Sequence, residues 1–225
     1  MKPDKKRQSQ QAFDQQAATY DTDIQGSHAR TLYPYMLQEI THAWGDRVLD
    51  LGCGTGALTA QVLEQDPRRQ VTGLDLSEQM LAQARARLGD RVNLVQGDSE
   101  HLPFPDQSFD VVYCCDSFHH YPAPAAVLAE VGRVLVPGGV FLLGDIWLPL
   151  PGRLLMNPFL RWSREGDVKI YSRREITDLL GQAFHQITWR QAGGRAFVAW
   201  GVRWGRRRGR PPPPRGSTSR PSAAS

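Results

Sequence analysis

Between Arg47 and Trp147 the chain alternates short apolar runs with segments of helical periodicity. No other feature of the sequence narrows the fold as much. "RVLDLG", "QVTGLDL", "RVNLVQGD", "SFDVVYCCD" and "VFLLGDIW" read as strands. Helices are predicted between them. One runs from Ala57 to Gln65, and one is capped by Ser77, with Met80, Leu81, Ala84 and Leu88 at helical spacing. Another runs from Ala125 to Leu135 and is closed by "PGG". Strands that are apolar throughout and separated by helices imply a parallel sheet covered on both faces.

The flanks have a different pattern. Two helices are predicted at 10–19 and 28–43, behind ten polar residues expected to be mobile. After Trp147, "LPLPGRLLMNPFLRW" reads as an inserted short helix. "SRREITDLLGQAF" is a helix on which Ser172 and Glu175 form a capping box. "HQITWR" and "RAFVAWGV" are two closing strands joined by "QAGG", hence an antiparallel hairpin. The expected α/β fold is a mostly parallel seven-stranded sheet with an antiparallel strand near the C-terminal edge. The core domain is read as 11–202, with 11–44 as a helical lid and 148–171 as an insertion over a second binding region. Residues 203–225 form a low-complexity Pro/Arg tail expected to be disordered.

The 225 residues suffice for one domain. No apolar run is long enough for a membrane span, and "MKPDKKRQSQQ" lacks the apolar stretch of a secretory signal. Three cysteines, two of them adjacent, make no disulfide framework and suit a reducing cytoplasm. Formal net charge is +4, yet Arg203 to Ser225 alone holds seven arginines and no acid, so the body is mildly acidic. The tail lacks interleaved aromatics and helical periodicity. Weak contact with a membrane surface is the more specific role open to it, and no specific nucleic-acid partner is expected.

"GCGTGA" matches the dinucleotide pattern G-x-G-x-x-A, and Asp75 lies 19 residues beyond Gly56. Taken alone, this would indicate a nicotinamide dehydrogenase. Asp50, two residues before the first glycine, argues otherwise. At a separation of about 4 Å, two like charges cost about 4 kcal/mol at a near-surface dielectric. A pyrophosphate would be repelled there, whereas a ligand with a cationic end would be held. S-adenosylmethionine has such an end and no phosphate.

"VLDLGCGTG" resembles the first motif of class I S-adenosylmethionine-dependent methyltransferases, a family with a Rossmann-like three-layer sandwich. "VTGLDLSEQML", "VQGDSEHLPFPDQSFDVVYC" and "VLVPGGVFLLGD" resemble its later motifs in order, and the likeness covers roughly residues 12 to 200. It is nearest to the small-molecule group that includes ubiquinone/menaquinone C-methyltransferases (methyltransferase type 11). The resemblance implies roles for particular residues. Gly52, Gly54 and Gly56 would let the backbone approach the cofactor, with Cys53 between them. Asp50 would hold the methionine amino group and Asp75 both ribose hydroxyls. Leu76 and Met80 would flank the adenine, Asp98 would accept from its amine with Ser99 alongside, and Cys115 would face the methionine. Tyr20, in a "YD" pair with Asp21, would close over the cofactor. S-adenosylhomocysteine would be the product.

The acceptor side is expected beyond strand four, at "DSFHHYPAP". His120 is the first candidate for a base or orienting group, followed by His119 and Tyr121. No metal is expected, because adjacent histidines do not readily share one ion and no spaced third ligand is visible. Leu154, Leu155, Phe159 and Trp162 of the insertion are candidates for an apolar acceptor pocket. The expected reaction is methyl transfer to carbon or oxygen of a small, partly apolar metabolite. "AFDQQAATYD" also resembles the start of a malonyl-carrier-protein carboxyl methyltransferase, but "HHY" stands where that family has a Gln-Trp pair. A cofactor-binding protein without catalysis is the alternative of a different class. Monomer and homodimer are both left open.

Overall fold

The computed structural model describes residues 4–24 and 26–205. Seven strands form one sheet: β1 (Arg47–Leu51), β2 (Gln70–Asp75), β3 (Asn93–Gln96), β4 (Phe109–Cys115), β5 (Leu135–Ile146), β6 (Phe184–Ala192) and β7 (Ala196–Arg203). Their spatial order is β3-β2-β1-β4-β5-β7-β6. The pairs from β3 through β5 are parallel, and β7 runs antiparallel to both β5 and β6. The strand order reverses between β1 and β4, where a parallel α/β sheet opens a crevice beyond its carboxyl ends.

The helices are α1 (Lys5–Gln16), α2 (Ser27–His42), α3 (Ala57–Gln65), α4 (Glu78–Leu88), α5 (Pro124–Val134), α6 (Leu150–Met156) and α7 (Arg173–Leu180). Alternation along the buried strands divides the core in two. Leu49 and Leu51 of β1 and Val112 and Cys114 of β4 pack with α5 and α7 through Val127, Val131, Ile176 and Leu180. On the other face Val48, Val71, Val111 and Tyr113 meet α2, α3 and α4 through Met36, Ile40, Val62 and Leu88. Asp50 shares the face of Val48, so its carboxylate is carried into an otherwise apolar layer. Ser77 caps α4 through the Met80 N–H, and Ser172 and Glu175 form the expected capping box on α7.

The N-terminal residues depart from expectation. α1 begins at Lys5, not near residue 10, so Lys5 to Gln10 are helical and not a mobile lead-in. Asp4 caps it by accepting from the Arg7 N–H at 3.2 Å. Only Ser9 of this helix is buried, and apart from Phe13 its side-chain contacts are polar. Apolar periodicity therefore carried no sign of its first turns, while the helix predicted at 10–19 overlaps the remainder. β5 also starts earlier than expected, at Leu135. Leu135 pairs with Phe109, and regular pairing resumes only at Val140 opposite Val111, with the "PGG" segment looped out between them. β7 extends through Arg203, whose guanidinium donates to the Leu135 carbonyl. The rest of the arginine tail, 206–225, lies outside the described residues, as do 1–3 and 25.

Candidate active site

A cleft opens over the carboxyl ends of β1, β2, β3 and β4, with about 990 Å³ of empty space including its mouth. Of the residues named from sequence, Tyr20, Asp50, Gly52, Cys53, Gly54, Asp75, Leu76, Met80, Asp98, Ser99, Cys115, His120 and Tyr121 line it. Gly56 and His119 do not.

The turn after β1 shows why the glycines differ. Gly54 has φ +52°, and a Cβ there would stand in open space. The backbone is therefore bare toward the cleft, and any side chain would fill room that a ligand can use. Gly52 has φ +77°, and its Cβ would strike Ser117. Gly56 (φ +72°) N-caps α3, and its Cβ would come within 2.7 Å of Leu88 Cδ1. The cofactor-approach role expected for Gly56 is thus corrected: it lets α4 pack closely on the turn.

Two carboxylates project from strand ends. Asp50 is 2% exposed. Its Oδ2 accepts from Thr59 Oγ1 at 2.5 Å and Tyr113 OH at 2.9 Å, while Oδ1 has no hydrogen bond among the described residues. Burial raises its pKa to about 7, the two hydroxyls oppose that rise, and nearby Asp75 adds to it. The acid sits where a cation would be welcome. Asp75 accepts from the Gly54 N–H at 2.8 Å and the Ser77 N–H at 2.9 Å. Burial raises its pKa against these bonds. Each oxygen keeps a lone pair for a further donor. Asp98 accepts from Lys6 at 2.6 Å and the Glu100 N–H at 2.9 Å.

α1 and the chain after it cover this half. Lys6 also reaches Glu100 at 2.8 Å, Gln10 donates to the Leu76 carbonyl, and Ser77 Oγ donates to Asp14 at 2.6 Å. Asp21 accepts from Thr55 Oγ1 at 2.7 Å and pairs with Arg87, tying the segment to the glycine turn. Phe13 packs edge-on against both Tyr20 and His120. A helix held mainly by polar contacts opens at lower cost than one seated by apolar burial.

Beyond β4, Asp116 takes φ +55°, an uncommon conformation for a non-glycine residue. Its Oδ1 meets His28 Nδ1 at 2.6 Å. Burial opposes ionisation of Asp116, but His28 and the neighbouring histidines outweigh it and lower the pKa. His119 points away from the cleft. Its Nδ1 lies 2.6 Å from Asp145 Oδ1, its N–H donates to Asp145 Oδ2, and its Nε2 is 3.6 Å from Asp167. Burial pulls its pKa down, but Asp145, Asp116 and Asp167 overcome this and push it to about 10. His119 thus does not face the cleft as expected: it lies half-buried among carboxylates that favour its cation.

His120 takes the opposite state. It lines the cleft, and burial plus the His119 cation lower its pKa. Its Nδ1 lies 3.1 Å from Asp167 Oδ1 but outside hydrogen-bond geometry, so that buried nitrogen is unbonded. Tyr121 shares a 2.7 Å hydrogen bond with Ser117 Oγ. Asp167 supplies the spaced third donor group that the sequence did not reveal beside the histidine pair. Here it serves as the histidines' anionic partner. Leu154, Leu155, Phe159 and Trp162 do not line the cleft; they are 68%, 65%, 56% and 62% exposed. The insertion reaches the site through Asp167 instead. His28, Asp116, Asp145 and Asp167 were missed because nothing local in the sequence marks their partners.

The sheet order, the glycine turn and the strand-end acids define a class: the Rossmann-like fold of methyltransferases. The family model described as "Methyltransferase domain" matches residues 49–143, the stretch from β1 into β5. The chain is 40% identical over 116 residues to 27-O-demethylrifamycin SV methyltransferase of Amycolatopsis mediterranei, covering 49% of this chain and 42% of that protein. It is 32% identical over 160 residues to demethylmenaquinone methyltransferase of Listeria welshimeri, covering 68% and 64%. The chain thus spans less than two thirds of the length of these relatives. In fold it is similar to a chain of the Haloferax volcanii complex between the Trm112 methyltransferase activator and a methyltransferase, with TM-score 0.74 at 20% identity, covering 88% and 99%.

Proposed function

We propose that this chain is an S-adenosylmethionine-dependent methyltransferase acting on carbon or oxygen of a small, partly apolar molecule. One observation carries the reading. A bare glycine cradle at Gly54 lies between two buried strand-end carboxylates, Asp50 and Asp75, and among the described residues nothing cationic neutralises Asp50. These residues fit a nucleoside with an amino-acid end. Asp50 Oδ1 takes the ammonium, and Asp75 takes the ribose hydroxyls with its remaining lone pairs. Leu76 and Met80 bracket the base, and Asp98 and Ser99 meet its polar edge. The relatives' names, a 27-O-demethylrifamycin SV methyltransferase and a demethylmenaquinone methyltransferase, support a small, partly apolar acceptor.

The bound group supplies an electrophilic methyl on a sulfonium. The chain's own work is to orient the acceptor, exclude water and receive a proton where the acceptor carries one. His120, neutral and in the cleft, is the proton acceptor, and Phe13 fixes its ring. His119 keeps it neutral by holding the positive charge next door. Tyr121 orients. α1 and Tyr20 form the lid over the cofactor, and 148–171 closes the acceptor side through Asp167. Three free cysteines fit a reducing cytoplasm.

Calorimetry with S-adenosylhomocysteine tests the site. Wild type is expected to bind, and Asp75→Ala to lose at least about 100-fold, from two charge-assisted hydrogen bonds of about 1.5–3 kcal/mol each. Equal affinity in the variant, or no binding by wild type, would sink the reading. Labelled S-adenosylmethionine with a fractionated metabolite and lipid extract then identifies the acceptor.

A further inference from the structure

The insertion after β5 leaves an apolar surface that the reaction does not use. Leu150, Leu154, Leu155 and Met156 of α6, then Phe159 and Trp162 of the 3₁₀ turn that follows, are 43–68% exposed. Among the described residues only two other large apolar side chains, Ile24 and Trp204, are comparably exposed. The surface is held in place. Asn157 clasps Ile170 through both its side-chain atoms, at 3.1 and 2.9 Å, and Lys5 donates to the carbonyls of Leu160 and Arg161. Leu160 is buried beneath. A rigid element that presents this much apolar surface marks an interaction site.

Charge selects the partner. Arg161 and Arg164, exposed, and Arg153, whose guanidinium donates to the Leu148 carbonyl at 2.7 Å, lie on or next to these elements, and among the described residues none forms an ion pair with a carboxylate. The Arg161 guanidinium lies over the Trp162 ring at 3.8 Å. Leucine, tryptophan and arginine mixed on one short amphipathic element match the boundary of an anionic bilayer: rings and alkyl chains enter the acyl margin, and guanidiniums meet lipid phosphates. A second copy of the chain fits less well, because a twofold contact would set the same unpaired arginines against each other. We infer that α6 and the turn to Trp162 form a docking face for an anionic lipid surface. From Ser163 the chain runs directly to Asp167 at His120, so docking sets the acceptor side of the cleft against the membrane. Resting on the function proposed above, this makes the acceptor a bilayer-soluble molecule. The docking itself does not depend on methyl transfer.

Co-sedimentation of the full chain with phosphatidylcholine vesicles, with and without an equal part of phosphatidylglycerol, tests the inference. Binding is expected to need the anionic lipid. Leu154→Ser/Leu155→Ser/Trp162→Ser and Arg161→Glu/Arg164→Glu should each lower vesicle partitioning at least tenfold. Affinity for S-adenosylhomocysteine should stay at the wild-type value, showing that the variants fold. Three results would overturn the inference: no binding of wild type to anionic vesicles; unchanged binding by both variants, which would assign adhesion to the arginine tail; or a loss of dimer in the sedimentation velocity of the apolar variant with vesicle binding intact. Vesicle binding without S-adenosylhomocysteine binding would leave the docking face standing and remove the methyl-donor reading. The reverse result would do the opposite.

Discussion

The half of the cleft over β1 and β2 is walled by chain neighbours: Asp50 with the glycine turn that follows it, and Asp75 with Leu76, Ser77 and Met80. The half over β4 is assembled from distant segments. His28 reaches Asp116 across 88 positions, Asp145 reaches His119 across 26, and Asp167 comes in from the insertion. On the proposed function the first half has one task, holding an unvarying ligand, and a single strand–turn–helix geometry would perform it. The second half would meet the acceptor, and it can be rebuilt by changing segments that leave the turn untouched. The two halves also treat charge differently. The first leaves a carboxylate short of a cation, while the second neutralises its carboxylates internally with His28 and His119.

The sharpest test of this division lies in the paired histidines. His120→Gln is expected to lower kcat about 100-fold or more, the usual share of a general base. Affinity for S-adenosylhomocysteine should stay within about threefold, because the substitution lies on the acceptor side. Steady-state kinetics on the identified acceptor, paired with calorimetry, separate the two. A variant that lost cofactor affinity and kept kcat would erase the boundary between the halves.

His119 predicts a stability effect. Its pKa is near 6.5 unfolded and about 10 folded. The stabilisation from its cation is therefore complete below about pH 6.5 and is lost as pH climbs toward 10, and its size is on the order of 3 kcal/mol for such a shift in a buried ion pair. Urea unfolding from pH 6.5 to 10 should show a decline in wild type that is absent in His119→Gln, with the two curves converging at the alkaline end. Parallel curves would mean that the histidine is neutral and that His120 owes its state to burial alone.

Asp50 carries a smaller effect of opposite sign with pH. With its pKa near 7, the carboxyl is protonated below that value and charged above it. If the charged form holds an ammonium group, affinity for S-adenosylhomocysteine should fall about tenfold between pH 8 and pH 6. Asp50→Asn should bind more weakly at pH 8 and show no such slope. A slope that survives the substitution would move the ammonium contact elsewhere.

These contrasts explain what could be read in the sequence. Burial on both faces writes itself as continuous apolar runs, so the strands and the helices over them were legible, as were Asp50, Gly54 and Asp75 within their turns. Gly56 was placed in the right turn with the wrong duty, because its neighbour Leu88 is a helix away. The first turns of α1, Lys5 to Gln10, left no apolar stripe to detect. The insertion's apolar residues were expected inside and stand outside, since composition marks a side chain as apolar without saying what covers it. Asp167 and Asp145 were missed because an isolated acid carries no local sign of its histidine.

The least of the expected effects concerns Lys6, which ties the lid to the nucleotide half through Asp98 at 2.6 Å and Glu100 at 2.8 Å. All three side chains are partly exposed, and such pairs contribute about 0.2–1 kcal/mol. Lys6→Ala should therefore speed dissociation of S-adenosylhomocysteine only about threefold, readable by stopped-flow release. The direction matters more than the size. Faster release means that α1 acts as a cover and that Lys6 is one of its ties. Slower release would mean that the ammonium competes with the ligand for Asp98, so that the first half of the cleft neutralises its charges internally as the second does.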